Sequence, residues 1–301
     1  MSKFSVIIPT IQKKLEVLNT LLGLLLQDTA VGEIIVINNK PEASLVINNS
    51  DKIRVISPAE NLYVNPSWNL GISEIQNENF ALLNDDMLVC SGFLSAVLTS
   101  DIFHDGQTGL LGADVHDIRQ FYDTDYIEIP EPYAEQPVFT PLKRHFHTQD
   151  WGIAILGKKK NYYTIPEDLK IIYGDNYLLY KNLQNGKINY QISGMPFNHI
   201  HSSSSQDKRF SLIVRDDLKN YRKYFNGTVQ KQETNSVYKL NFKNDVCFLE
   251  YELNGKKNTI CFKYIDDKIR LRMRLAGMIP KFDTEMLSKI VEEVISRNKA
   301  G

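Results

Sequence analysis

Four short apolar runs, each ending on polar residues and separated by helix-period sequence, restrict what this chain can fold into. They are "FSVIIPT" at 4–10, "EIIVINN" at 33–39, "KIRVIS" at 52–57 and "NFALLNDD" at 79–86. Strands that are apolar on both faces belong to parallel sheets covered by helices on each side. Between the first two runs, "KKLEVLNTLLGLLLQ" sets Leu15, Leu18, Leu22 and Leu25 on one helical face, and "SWNLGISEI" predicts another helix before the fourth run. This rhythm predicts βαβ units and a doubly wound α/β fold. Ligands of such sheets bind at the carboxyl ends of the strands. Those ends are Pro9-Thr10, Asn38-Asn39, Asn61 and Asn84-Asp85-Asp86, which are expected to converge on one crevice.

The triplet "NDD" at 84–86 is costly on its face, because adjacent carboxylates after a buried strand repel each other and resist desolvation. A solvated turn tolerates them; a bound cation requires them. No GxGxxG or GxxxxGK[ST] follows the first strand, so a dinucleotide-binding loop and a P-loop are both disfavoured. A carboxylate pair holding Mg2+ or Mn2+ handles phosphate another way, since these cations favour few carboxylates together with phosphate oxygens and water.

From about 107 to 150 periodicity is weak, and loops with short strands are expected to shape an acceptor side. Beyond that, "WGIAIL" and "GKINYQISG" read as strands, a Gly-Asp pair at 174–175 opens a short helix, and 207–225 reads as helical. Period-2 alternation after 236, with Asn254-Gly255 as a hairpin signal, and an amphipathic stretch from Asp283 predict a small β-hairpin-plus-helix module over 228–301. The expected organisation is therefore a catalytic domain at 1–227 and an accessory module at 228–301. Residues 1–206 carry 15 Lys+Arg against 23 Asp+Glu, and residues 207–301 carry 20 against 13. A basic appendage on an acidic body suits an anionic partner, or is simply a solvated surface. Cys90, Cys247 and Cys261 lack metal or disulfide spacing. No apolar run approaches the roughly 20 residues of a membrane span, and the N-terminus lacks a signal-peptide pattern, so a cytoplasmic location is expected.

Taken in order, "SVIIPT", "EIIVINN", "NLYVNPSWNLGI", "ALLNDDM", "IPEDLKIIYGDNYLLYK" and "HIH" resemble the GT-A fold nucleotide-sugar glycosyltransferases, specifically the family-2-like inverting enzymes, over about residues 3–206. The resemblance implies a Rossmann-like doubly wound mixed sheet and a site whose parts transfer by position. Pro9 and Thr10 would line the nucleoside pocket, Asn38 or Asn39 would meet the base, and Asn61 and Asn69 would face the nucleotide or sugar. "NDD" occupies the DxD position with Asn84 in place of the first acid. That departure leaves Asp86 as the direct metal ligand and Asp85 closer to the ribose or sugar. His199 or His201 would add a ligand, Asp175 would be the general base, and Trp151 would offer an apolar platform to an acceptor sugar.

An inverting transferase needs one carboxylate to deprotonate the acceptor hydroxyl and one charge-neutralising group at the leaving diphosphate. Asp175 and an Mn2+ or Mg2+ ion at Asp86 meet that minimum. The expected function is transfer of a sugar from a nucleotide-diphosphate donor, a UDP-sugar, to a hydroxyl of a glycan or other polymer. A hydroxymethylated base in DNA is an alternative acceptor, given the basic module. A non-catalytic nucleotide-sugar-binding protein and a nucleotidyltransferase are the competing classes; the latter ordinarily wants a Gly/Lys/Arg-rich phosphate loop near the first strand.

Overall fold

A computed structural model describes residues 2–122, 124–142, 151–200, 210–224, 238–243, 246–253, 256–263, 288 and 290–292. The chain divides into two compact units, Met1–Gly227 and Thr228–Gly301.

In the first unit the elements run β1 (Phe4–Thr10), α1 (Leu15–Gln27), β2 (Val31–Asn38), β3 (Ile53–Ile56), α2 (Asn65–Glu74), β4 (Asn79–Leu83), β5 (Met87–Leu88), α3 (Phe93–Leu98) and α4 (Asp101–His104). They continue as β6 (Thr108–Ala113), β7 (Ile118–Phe121), β8 (Val138–Pro141), β9 (Ala154–Lys158), α5 (Gly174–Gln184), β10 (Ile188–Ser193), β11 (Phe197–Ile200) and α6 (Ser211–Asn220). Among the described residues the main sheet has the order β3-β2-β1-β4-β9-β6-β10-β8, and a second sheet has the order β5-β11-β7. β1 pairs parallel with β2 and β4, and β2 parallel with β3. β9 runs antiparallel to both β4 and β6, and β10 is again parallel to β6. The sheet is mixed, with its parallel part where the four apolar runs predicted it.

Period-2 alternation explains why those runs are apolar throughout. Val6 and Ile8 of β1, Ile34 and Val36 of β2, and Ala81 and Leu83 of β4 enter one core cluster with the inner face of α1. Ile7, Ile35, Ile37, Phe80 and Leu82 enter a second with α2 and α5. Each strand is thus covered on both sides. α2 lies close on β1 because Gly71 leaves room: a Cβ there would stand 2.4 Å from Ile7 Cγ2.

Within the stretch expected to hold loops and short strands, residues 108–113, "TGLLGA", form a fully buried central strand. Two glycines had masked its pattern, since glycine weakens a strand signal and marks close packing. One expectation is corrected: Trp151 is no sugar platform, being 0% exposed. Its ring lies against Gly112 of β6, where a Cβ would fall 1.9 Å from Cε2. Gly112→Ala is therefore expected to destabilise the fold by about 3 kcal/mol through overpacking, measured by urea unfolding.

The second unit contains β12 (Tyr238–Lys243), β13 (Val246–Leu253) and β14 (Lys256–Lys263), an antiparallel meander with Leu253 opposite Lys256. Leu249, Ile290 and Val291 are buried, and Ser288 and Ile290–Glu292 are helical. The rest of the predicted closing helix lies outside the described residues, as do Asn254-Gly255.

Candidate functional site

Parallel pairing of β1 with β2 and β4 puts Thr10, Asn38 and the 84–86 triplet at one edge of the sheet. Thr10 Oγ1 donates to Asp85 Oδ2 at 2.5 Å and accepts the Gln12 amide at 2.9 Å. Pro9 is buried in β1 opposite Ile37. Burial, and then the adjacent Asp86 carboxylate, push the Asp85 carboxyl up to about 7. Such crowding is the electrostatic cost the sequence announced.

β11 brings the second half of the site. It pairs antiparallel with β5, His199 opposite Met87, and parallel with β7, His199 opposite Gln120, while the Ile200 amide donates to the Asp86 carbonyl at 2.9 Å. That register sets His199 Nε2 3.3 Å from Asp86 Oδ1, with the residues only 5% and 6% exposed. His199 Nδ1 meets Gln120 Oε1 at 3.1 Å. With the Gln120 amide oxygen toward Nδ1, a neutral ring carries its proton on Nδ1 and turns the Nε2 lone pair to the carboxylate, where a proton or a cation would join the two.

A divalent cation fits this pair. Ligands about 2.1 Å from an octahedral ion and at right angles stand roughly 3 Å apart. The neutral imidazole tautomer fixed by a second hydrogen bond is that of a metal ligand. Among the described residues no group of three or more His, Cys, Asp or Glu side chains forms a ready-made metal cage. Two protein ligands with the remaining positions left to phosphate oxygens and water match the habit of Mg2+ and Mn2+. His201 lies outside the described residues.

Asp175 comes to the same edge by another route. The Asn84 amide donates to the Ile153 carbonyl at 3.0 Å, and a Cβ on neighbouring Gly152 would meet Asp175 Oδ2 at 3.2 Å. The carboxylate lies in the first turn of α5, which follows Tyr173 at φ 66°. Two polar side chains hold the segment before it. Asn65 Nδ2 donates to the carbonyls of Leu169 and Ile172, and Gly174 closes on Asn65 so tightly that a Cβ would stand 2.1 Å from Oδ1. Asp217 of α6, 1% exposed, accepts the successive amides of Lys170, Ile171 and Ile172 at 2.7–2.9 Å. Asp217→Ala removes the acceptor of three part-buried amides and is expected to cost about 2 kcal/mol, measured as a shift in unfolding midpoint at unchanged slope.

The asparagines expected at the nucleotide pocket each make hydrogen bonds within the chain. Asn38 donates to the Ala43 carbonyl and Ser57 Oγ and accepts from Gln12 Nε2 and the Lys40 amide. Asn39 donates to the Tyr63 carbonyl and Ser67 Oγ and accepts the Leu62 amide. Asn69 donates to the Ile165 carbonyl and accepts from Tyr162 and the Ile165 amide. These amides anchor the loops around the strand ends. Asn61 accepts the Tyr63 amide at 2.7 Å in an Asx turn. Sequence reasoning missed Gln120, hidden in the weakly periodic stretch. It also missed three strained residues, Gln12, Tyr63 and Tyr173 with φ of 61–66°, in loops following β1 and preceding α2 and α5. Strain of this kind gathers at functional loops.

Residues 5–105 match the family model "Glycosyl transferase family 2". No curated protein matches the chain. Among solved structures, "Crystal structure of S. aureus TarS 1-349" is similar at 14% identity and a TM-score of 0.43, covering 71% of this chain. The chain spans 65% of that structure's length. That family match covers about a third of the chain, which over this span is similar to the family 2 glycosyl transferases. The matched span runs from β1 through α4, taking in Thr10, Asp85 and Asp86 and ending before Asp175 and His199.

Proposed function

We propose that this chain is a metal-dependent inverting glycosyltransferase that moves a sugar from a nucleotide-diphosphate donor, a UDP-sugar, to a hydroxyl of a glycan. The observation that carries the reading is the buried contact of Asp86 with His199, beside Asp85 and Thr10 at the carboxyl end of the sheet. Asp86 and His199 would hold Mn2+ or Mg2+, which when bound neutralises charge developing on the leaving diphosphate. Gln120 keeps the imidazole in the tautomer that presents Nε2. Asp85, tied to Thr10, is left to accept a hydroxyl of the donor's ribose or sugar.

Asp175 takes the proton from the acceptor hydroxyl as its oxygen attacks the anomeric carbon on the face opposite the phosphate, and the bond from that carbon to the phosphate oxygen breaks. The clamp of Asn65 and Asp217 on residues 169–172 holds the carboxylate in place for an attack that depends on orientation. The test is release of nucleoside diphosphate from a panel of UDP-, GDP- and dTDP-sugars with and without Mn2+. Mn2+-dependent release from a UDP-sugar is expected; no release from any donor overturns the reading.

A further inference from the structure

Behind the Asp86–His199 pair, on the reverse face of the small sheet, lies a cavity of about 670 Å³. Residues alternate along β11, so His199, Gln120 and Met87 share one face and Asn198, Arg119 and Leu88 share the other. Asn198, Arg119 and Leu88 line the cavity. α1 forms one wall, and an extended strap at residues 125–131 forms the opposite one.

Its chemistry is specific. The floor is apolar, with Val17, Leu88 and Ile127 buried. The rim carries Glu16, Asp125, Glu128 and Glu131; Arg119 is its one cation among the described lining residues and pairs with Glu128 at 3.5 Å. Lys14 nearby is bonded to Asp125 and the Thr124 carbonyl. A phosphate or polyanion is therefore repelled. Asn198 is 1% exposed, and its Nδ2 donates to the Glu128 carbonyl at 2.7 Å, pinning the strap. Its Oδ1 takes no hydrogen bond among the described residues, leaving a fixed acceptor in the cavity wall. Tyr126, 72% exposed, offers a flat ring at the mouth.

Many acceptors, one rigid amide, an aromatic face and few cations suit a ligand rich in hydroxyl donors with an apolar C–H face. The volume lies in the ordinary range of ligand clefts. We infer that this cavity is a second saccharide site, which binds an uncharged oligosaccharide separately from the transfer site. That the bound saccharide is a stretch of the acceptor glycan rests on the transferase reading; that the cavity binds it does not. A glycan held there is tethered to the enzyme, which raises its effective concentration at the transfer site.

The experiment is saturation-transfer NMR and calorimetry of the full chain, without nucleotide sugar, against chitotetraose, cellotetraose, maltotetraose, a heparin oligosaccharide and oligolysine. At least one neutral tetrasaccharide is expected to bind with a Kd of about 1 mM or tighter, and heparin not to bind. Tyr126→Ala and Thr20→Trp, both at exposed positions, are expected to weaken binding about ten-fold while donor hydrolysis stays at the wild-type rate. The inference is overturned if no neutral tetrasaccharide binds, if both variants bind as the wild type does, if oligolysine displaces the sugar, or if Asp86→Ala abolishes binding. Absence of donor hydrolysis in the wild type would instead count against the transferase reading and leave the cavity result standing.

Discussion

Asp86→Ala is expected to lower Mn2+-dependent turnover of the nucleotide sugar about 1000-fold, the scale of several kcal/mol of lost charge stabilisation at the leaving group. The substitution removes the carboxylate that faces His199 Nε2 at 3.3 Å and leaves a lone imidazole for the cation. Stability should move far less, by about 1 kcal/mol or under, because the carboxylate that holds His199 also repels Asp85. A large loss of rate at an almost unchanged unfolding midpoint separates a metal ligand from a structural ion pair. Initial rates of nucleoside diphosphate release, with thermal unfolding of the same preparation, measure both. Collapse of the unfolding midpoint together with the rate would assign the pair a structural role.

Asp175→Asn carries the second large effect. The amide is nearly isosteric and keeps the first turn of α5 intact, but cannot take a proton. Turnover by acceptor transfer is expected to fall about 100- to 10,000-fold, the usual contribution of a positioned general base. The donor KM should stay within about two-fold, because the change removes an interaction made in the transition state. Steady-state kinetics with donor and acceptor varied separately read this split. If Asp175 served only the helix end, Asn would substitute for it at a cost of about 1 kcal/mol or less in stability and nothing in rate.

What was legible in the sequence follows from burial. β1, β2 and β4 are covered on both faces, so their composition alone located them, and the polar residues ending each run marked the sheet edge where Thr10, Asp85 and Asp86 meet. The resemblance offered His199 or His201 without choosing between them; the pairing of β11 with β5 is what sets His199 beside Asp86. Local pattern failed where long-range packing decided the outcome. Trp151 is fully buried because Gly112 on another strand makes room for its ring, a partner 39 positions away that no window spans. The loop-anchoring hydrogen bonds of Asn38, Asn39 and Asn69 join positions far apart in the chain, which local pattern does not show. Gln120 becomes meaningful only through the pairing of β7 with β11, which sets it abreast of His199. Antiparallel β9 owes its place to a return of the chain to the site edge, signalled by the Asn84–Ile153 hydrogen bond rather than by any helix crossover.

The central claim is that Asp86 and His199 hold the cation through which the donor diphosphate binds. The most direct measurement is thermal unfolding of the wild type and Asp86→Ala with UDP, Mn2+, both, or both plus EDTA. UDP with Mn2+ is expected to raise the wild-type midpoint by several degrees, with little shift from either alone, none in EDTA and none in Asp86→Ala. An equal UDP shift with and without Mn2+, or a full shift in Asp86→Ala, would contradict it.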